Sequence, residues 1–240
     1  MKKFAMHGAA VSALVVMALT GCGGSGDATV LAGSTASETP TPKAAKQYSN
    51  DELMAMVKQI KPGNGTELTT ASAEELAEAN PVKALMSMFT VEPAECKELE
   101  TLGSSEPVAG STSAAGAEVN NESGVMTMVT LTSGVDVGAL QQSLDANVAH
   151  AAQCANMTLS MAGQSMTVTT EKFAGISTVP GTIAYRTAMT SPSGAAQSTY
   201  MAYAIKDGVL ISVTASGKGA EASGVTSAGA LMDQAAALVK

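Results

Sequence analysis

The sequence predicts an α+β domain: an antiparallel β-sheet of about five to six strands, packed against helices on one face and held by one disulfide. Three observations carry this class. Short segments with a period of two, rich in β-branched residues, dominate the chain after Val125. Amphipathic helical patterns with recognisable caps stand before, between and after them. Two of the three cysteines, Cys96 and Cys154, fall inside this patterned region.

The chain opens with Lys2 and Lys3, an apolar run from about Ala9 to Leu19, and then Leu19-Thr20-Gly21-Cys22. A basic start, a short apolar middle and small residues before a cysteine describe a bacterial lipobox. The expectation is that residues 1–21 form a lipoprotein signal peptide, cleaved before Cys22, whose sulfur then carries diacylglycerol. A membrane-spanning helix is the competing reading, but the run is about eleven residues where ~20 are needed. One acyl chain holds weakly, whereas the two of a diacylglycerol suffice for stable attachment. The expected location is therefore the outer face of the cell membrane, in an exported, lipid-anchored form.

Residues 22–47 are Gly, Ser, Thr and Ala with a Thr39-Pro40-Thr41-Pro42 repeat. Such a segment buries too little apolar surface to offset its chain entropy, so a flexible tether is expected. The domain proper is expected over residues 48–240. Ser49 and Glu52 have capping-box spacing, with Leu53, Met56, Val57 and Ile60 on one helical face. Lys61-Pro62-Gly63-Asn64-Gly65 stops that helix. Ser72 and Glu75 repeat the cap for a short helix over about 73–78, and Asn80-Pro81 starts another. Pro93 opens a further turn carrying Cys96. From Thr101 to Ser113 the composition reads as an exposed connection.

Strand alternation begins at Val125, Thr127, Val129 and Leu131. The longest helix follows over about 137–155, capped by Asp136, with Leu140, Leu144, Val148 and Ala151 on its apolar face. Alternation returns at Met157, Leu159 and Met161, turns at Gly163-Gln164, and continues through Met166 and Val168. Further strands are expected over 183–189, 199–205 and 209–215, the last two joined by the hairpin dipeptide Asp207-Gly208. A C-terminal amphipathic helix is expected over about 225–238.

Charge and chemistry narrow the function. Loss of Lys2 and Lys3 with the signal takes the formal net charge from -8 to about -10, which argues against nucleic acid and against an electrostatic grip on anionic lipid. With Cys22 committed to lipid, Cys96 and Cys154 are most simply a disulfide in an exported chain, and a reactive thiol is the alternative. His7 leaves with the signal, so His150 is the one histidine of the mature chain. It lies four residues before Cys154 on the same helix, a spacing open to a thiolate–imidazole pair or two metal ligands, or simply to a histidine beside a half-cystine. No nucleophile–base constellation, phosphate loop or zinc spacing is apparent, so neither catalysis nor a cofactor or metal is expected.

Candidate ligand-binding residues are Arg186, Met126, Met128, Met157 and Met161. Arg186 is the sole arginine. It projects from the strand side opposite Ile183, Tyr185, Thr187 and Met189, either into water or into a cleft where its fork could hold a carboxylate or phosphate. The methionines fit three readings: filler in a core without tryptophan, soft ligands for Cu(I), or the lining of a pocket for a lipid or other apolar ligand.

Ser49-Asn50-Asp51-Glu52-Leu53-Met54, Val91-Glu92-Pro93-Ala94-Glu95-Cys96 and Ala151-Ala152-Gln153-Cys154 occur in an order that resembles the extracellular sensor domain of mycobacterial serine/threonine kinases and its stand-alone lipoprotein relatives in actinobacteria. The resemblance covers about residues 48–240. It implies a central antiparallel sheet flanked by helices, with a cleft for an external ligand. The chain departs from the pattern in having one cysteine pair where the family typically has two, and in lacking aromatic residues near the second cysteine. Its implied function is a non-catalytic envelope lipoprotein that binds an envelope ligand or protein. A carrier of an apolar ligand in a Met-rich pocket is the alternative.

Overall fold

The computed structural model describes residues 45–63, 67–72, 75, 88–101 and 108–240. The signal, Cys22, most of the tether, the helix expected over 73–78 apart from Glu75, and the helix expected after Pro81 lie outside these residues.

The described chain forms nine strands: β1 (Thr69–Ser72), β2 (Thr90–Glu92), β3 (Thr112–Asn120), β4 (Val125–Ser133), β5 (Asn156–Met161), β6 (Gln164–Phe173), β7 (Ile183–Thr190), β8 (Ala196–Lys206) and β9 (Val209–Gly217). They make one sheet in the order β1-β3-β4-β9-β8-β7-β6-β5-β2, every neighbouring pair antiparallel. The expectation of five to six strands is corrected to nine. The additions are β1 and β2, which are short, and β3, which begins in the last two residues of the expected connection and continues through a stretch to which no element was assigned. Among the described residues the α-helices α1 (Asn50–Val57), α2 (Val137–Gln153) and α3 (Val225–Leu238) accompany the sheet. A 3₁₀ segment, Ala94–Thr101, carries Cys96, and a π turn, Ala220–Gly224, leads into α3.

Helices on one face is also corrected, because both faces are covered. On the first face α1 and α3 pack over β3, β4, β8 and β9. Leu53, Val57, Leu231 and Met232 meet Val129, Leu131, Tyr200 and Ile211 there. On the second face α2 lays Leu140, Leu144 and Ala151 against Tyr185, Met201, Tyr203 and Leu210. Tyr200 to Ala204 are consequently buried without a break, since both sides of β8 are covered.

The path of α2 explains its length. It leaves β4 and delivers the chain to β5, five strand steps away in the sheet, roughly 24 Å at 4.8 Å per step. Seventeen helical residues span about 25 Å at 1.5 Å each. From β5 the chain returns strand by strand through successive hairpins to β9, closing against β4. Two of those hairpins turn on left-handed pairs, Ala162-Gly163 and Asp207-Gly208, as two-residue loops require. The first sits one residue earlier than the Gly163-Gln164 turn read from the sequence.

Both expected capping boxes are present. The Ser49 amide donates to Glu52 Oε2 at 2.9 Å and the Glu52 amide to Ser49 Oγ at 3.3 Å. The Ser72 amide likewise donates to Glu75 Oε2 at 2.7 Å, and the Glu75 amide to Ser72 Oγ at 3.3 Å. The Ser49 amide, followed by Lys46, holds the Glu52 carboxyl below the usual carboxylate range.

The chain enters the domain through a docked strap, residues 45–48. Tyr48 is buried, and its amide donates to Ser133 Oγ at 3.2 Å while Ser133 Oγ donates to the Gly208 carbonyl at 2.9 Å. Its hydroxyl donates to the Lys240 carbonyl at 2.7 Å and accepts from the Lys240 amide at 3.0 Å. Lys46 Nζ lies 4.2 Å from the centre of the Tyr48 ring and 2.9 Å from Glu52. The start and end of the described domain thus meet beside the β8–β9 turn.

Candidate functional site

Cys96 and Cys154 are disulfide-bonded, with Cα atoms 5.7 Å apart. Both are fully buried among Phe89, Val91, Met157, Leu159 and Val168. The bond ties the 3₁₀ segment to the end of α2 beside the β2 edge. It consumes the thiol that a Cys154–His150 pair would need, and His150 is exposed.

The five candidate ligand residues do not converge. Met126 and Met128 on β4 share the second face, opposite Val119 and Ala117 of β3. Met126 is 46% exposed and Val119 59% exposed. Met157 and Met161 lie on β5, the same five strand steps away that α2 spans. Met157 is packed into the disulfide cluster and Met161 is exposed at the strand end. One compact guest therefore cannot touch both pairs. Met157 serves as core filler. Among the described residues no group of three or more His, Cys, Asp or Glu side chains is placed to hold a metal ion.

Arg186 faces the other way, as alternation along β7 requires. While Tyr185 packs beneath α2, Arg186 stands on the first face between its cross-strand neighbours Glu171 of β6 and Tyr200 of β8. Its Nη1 donates to Glu171 Oε1 at 3.2 Å and its Nη2 to Ser198 Oγ at 3.3 Å. The Nε atom is buried and has no acceptor. The side chain as a whole is 32% exposed. The Glu171 hydrogen bond, followed by Tyr200, pushes the guanidinium pKa further up, with burial opposing. Tyr200 is fixed edge-on against Phe173, ring centres 5.0 Å apart. Beyond Tyr200 the row continues to Ala215 of β9, where the π turn closes down: a Cβ on Gly224 would lie 3.0 Å from that of Ala215. Arg186 thus marks the border where the helical cover of the first face ends. Past it, Thr167, Thr169 and Glu171 of β6 are exposed.

Sequence reasoning singled out Arg186 but not Glu171, Ser198 or Tyr200. The signal that finds them is register. Once β6, β7 and β8 pair as hairpins, Glu171, Arg186 and Tyr200 must stand in one row.

A concavity of about 830 Å³ lies at the far end of β3, lined by Glu67, Thr69, Ala117, Glu118 and Val119 with the β3–β4 turn. Glu118 Oε1 accepts from Thr127 Oγ1 at 3.0 Å, while its Oε2 is buried without a partner. The ionisable side chains of this lining are the carboxylates of Glu67, Glu118 and Glu122.

No family model matches the sequence, and no curated protein matches it. Among solved structures, the chain is similar to the extracellular domain of PknH from Mycobacterium tuberculosis. That likeness has a TM-score of 0.47 and 11% identity, and covers 80% of this chain and 98% of that one. It is also similar to an uncharacterised protein from Mycobacterium smegmatis, with a TM-score of 0.40 and 15% identity over 72% of this chain and 87% of that one. The first of these is a domain of the kind the sequence resemblance named.

Proposed function

We propose that this chain is an exported lipoprotein held on the outer face of the cell membrane through Cys22, and that residues 48–240 act as a non-catalytic, sensor-like domain binding an envelope ligand or protein. The observation that carries the reading is the cysteine count. Of three cysteines, Cys96 and Cys154 are consumed by one buried disulfide, as suits an oxidising compartment. Cys22, at the end of Leu19-Thr20-Gly21-Cys22, is the one that remains.

The test is metabolic labelling with a fatty acid in a host that processes lipoproteins, followed by detergent-phase partitioning. The expected result is a labelled chain in the detergent phase, and loss of both label and partitioning in a Cys22→Ala variant. An unlabelled wild-type chain in the aqueous phase would remove the anchor from the proposal.

A further inference from the structure

β1 starts at Thr69, opposite Ala117, whereas β3 runs on to Asn120. Glu118, Val119 and Asn120 therefore have β4 as their one strand neighbour among the described residues. The concavity of about 830 Å³ follows this stretch, from Glu67 and Thr69 to the β3–β4 turn, where a continued β1 would have run. A strand edge left open in this way presents backbone donors and acceptors to an extended chain.

The side chains around the edge say which chain fits. On the second face Val119 is 59% exposed and its cross-strand partner Met126 46% exposed, with Ala117 and Met128 half-buried beside them. The apolar stripe of α2 packs elsewhere, on Tyr185, Tyr203 and Leu210. An apolar side chain of a partner would take this pair out of water, and methionine adapts its shape to such contacts. Carboxylates stand at both ends of the groove, Glu67 beside β1 and Glu122 in the β3–β4 turn, and both are exposed. Lys61 reaches Glu67 at 3.1 Å, but that pair lies in water and is weakly held. Glu118, bound by Thr127 Oγ1, adds its negative field without having to touch the guest.

Successive side chains of an extended chain point to opposite faces. A strand laid along this edge meets Val119 and Met126 with one side chain and turns the residues before and after it towards the carboxylates. The first must be apolar and its neighbours basic. A second copy of this chain is a poor occupant. Its formal net charge is -8, and its own edge would set carboxylates against carboxylates.

We propose that the open edge of β3 at Glu118–Asn120 docks an extended segment of a partner protein in which apolar and basic residues alternate. This rests on the reading of the domain as a binding module and names the partner chemistry it takes.

The test uses the mature chain, residues 22–240 with Cys22→Ala, free of detergent, so that its outcome does not depend on lipidation. Methionine ε-methyl groups carry ¹³C, and Met126→Leu assigns the reporter signal. The peptide Lys-Val-Lys-Val-Lys-Val-Lys is titrated, and separately its Lys/Ser and Glu/Val counterparts. The Lys/Val peptide is expected to move the Met126 signal to saturation and to leave exposed Met161, on the distant β5, unmoved. The two counterparts are expected to bind at least about tenfold more weakly, and added salt should weaken the Lys/Val peptide. Val119→Ser and the double variant Glu67→Gln, Glu122→Gln alter exposed side chains and so keep the fold. The first is expected to erase the advantage of Lys/Val over Lys/Ser, and the second to shrink its advantage over Glu/Val. Equal binding of Lys/Val and Lys/Ser to the wild-type chain would overturn the alternating partner. A Met126 signal that moves when the protein alone is concentrated would give the edge to a second copy instead. No movement with any peptide would overturn the site, while the fatty-acid label at Cys22 would still decide the anchor by itself.

Discussion

Gly229 shows how tightly one residue can be specified. It lies buried in α3, and a Cβ there would collide with the carbonyl oxygen of Ile176. Backbone has no rotamer with which to yield, so Gly229→Ala is expected to destabilise the domain by about 1–3 kcal/mol, the range for overpacked cores, as read by chemical denaturation. Tyr203 makes a different kind of prediction. Its ring is buried beneath α2, and its hydroxyl donates to Met201 Sδ at 3.7 Å. Burial, followed by the nearby Tyr185, pushes its pKa up. A raised phenol contributes stability that is fully present below the unfolded value near pH ~10 and is lost as pH climbs through the folded value. Alkaline unfolding followed by circular dichroism should therefore be shallower in Tyr203→Phe than in the wild type. An unchanged slope would show that Tyr203 does not carry the alkaline transition.

At the scale of elements, the disulfide separates two classes of stability. β2 is three residues long and pairs with β5 alone, so its place depends on the Cys96–Cys154 tie beside it. With a sequence separation of 58, the chain-entropy estimate for the bond is ~4 kcal/mol. Reduction is expected to lower stability on that order and to raise amide exchange first in β2 and the 3₁₀ segment, while α3 stays protected. Simultaneous loss of protection everywhere would instead make the domain one cooperative unit. The elements that were legible in the sequence are those whose pattern has a single cause. Alternation gave β4 to β9, and the caps and apolar stripes gave α1, α2 and α3. β3 was hidden because its composition answers to α1 and the β1 lead-in rather than to strand propensity. A Cβ on Gly116 would meet Val57 Cγ1 at 2.6 Å and Leu68 Cδ1 at 2.8 Å, so this stretch must be small, and Thr-Ser-Ala-Ala-Gly-Ala imitates a linker. Helices on both faces were missed for a related reason. The stripe on α2 says that it packs, not on which side of the sheet, and the unbroken burial of β8 emerges only when both sides are filled.

For the molecule as a whole, the meeting of Tyr48 with Lys240 ties the first described elements to the last. Tyr48→Phe removes both hydrogen bonds to Lys240 and is expected to cost about 1–2 kcal/mol. Limited proteolysis should then show earlier cleavage around residues 45–48, and an unchanged digestion pattern would mean that the strap is held by burial alone. The candidate site required the same long-range view. Arg186 could be singled out because arginine occurs once, but its partners Glu171 and Ser198 stand 15 and 12 residues away on the neighbouring strands and appear only when the hairpins fix their register.

The strap has a mechanical consequence. It docks at the β8–β9 end of the sheet, whereas the β3–β4, β5–β6 and β7–β8 turns lie at the opposite end, roughly 30 Å away along nine-residue strands at about 3.3 Å per residue. On the lipid-anchored reading, a partner held at those far turns and pulled away from the membrane would draw on the sheet along its strands, in shear. Rungs of neighbouring ladders then resist together, and the hairpins are not peeled open one bond after another. Such a domain would hold its shape under a pull that a sideways attachment would unzip.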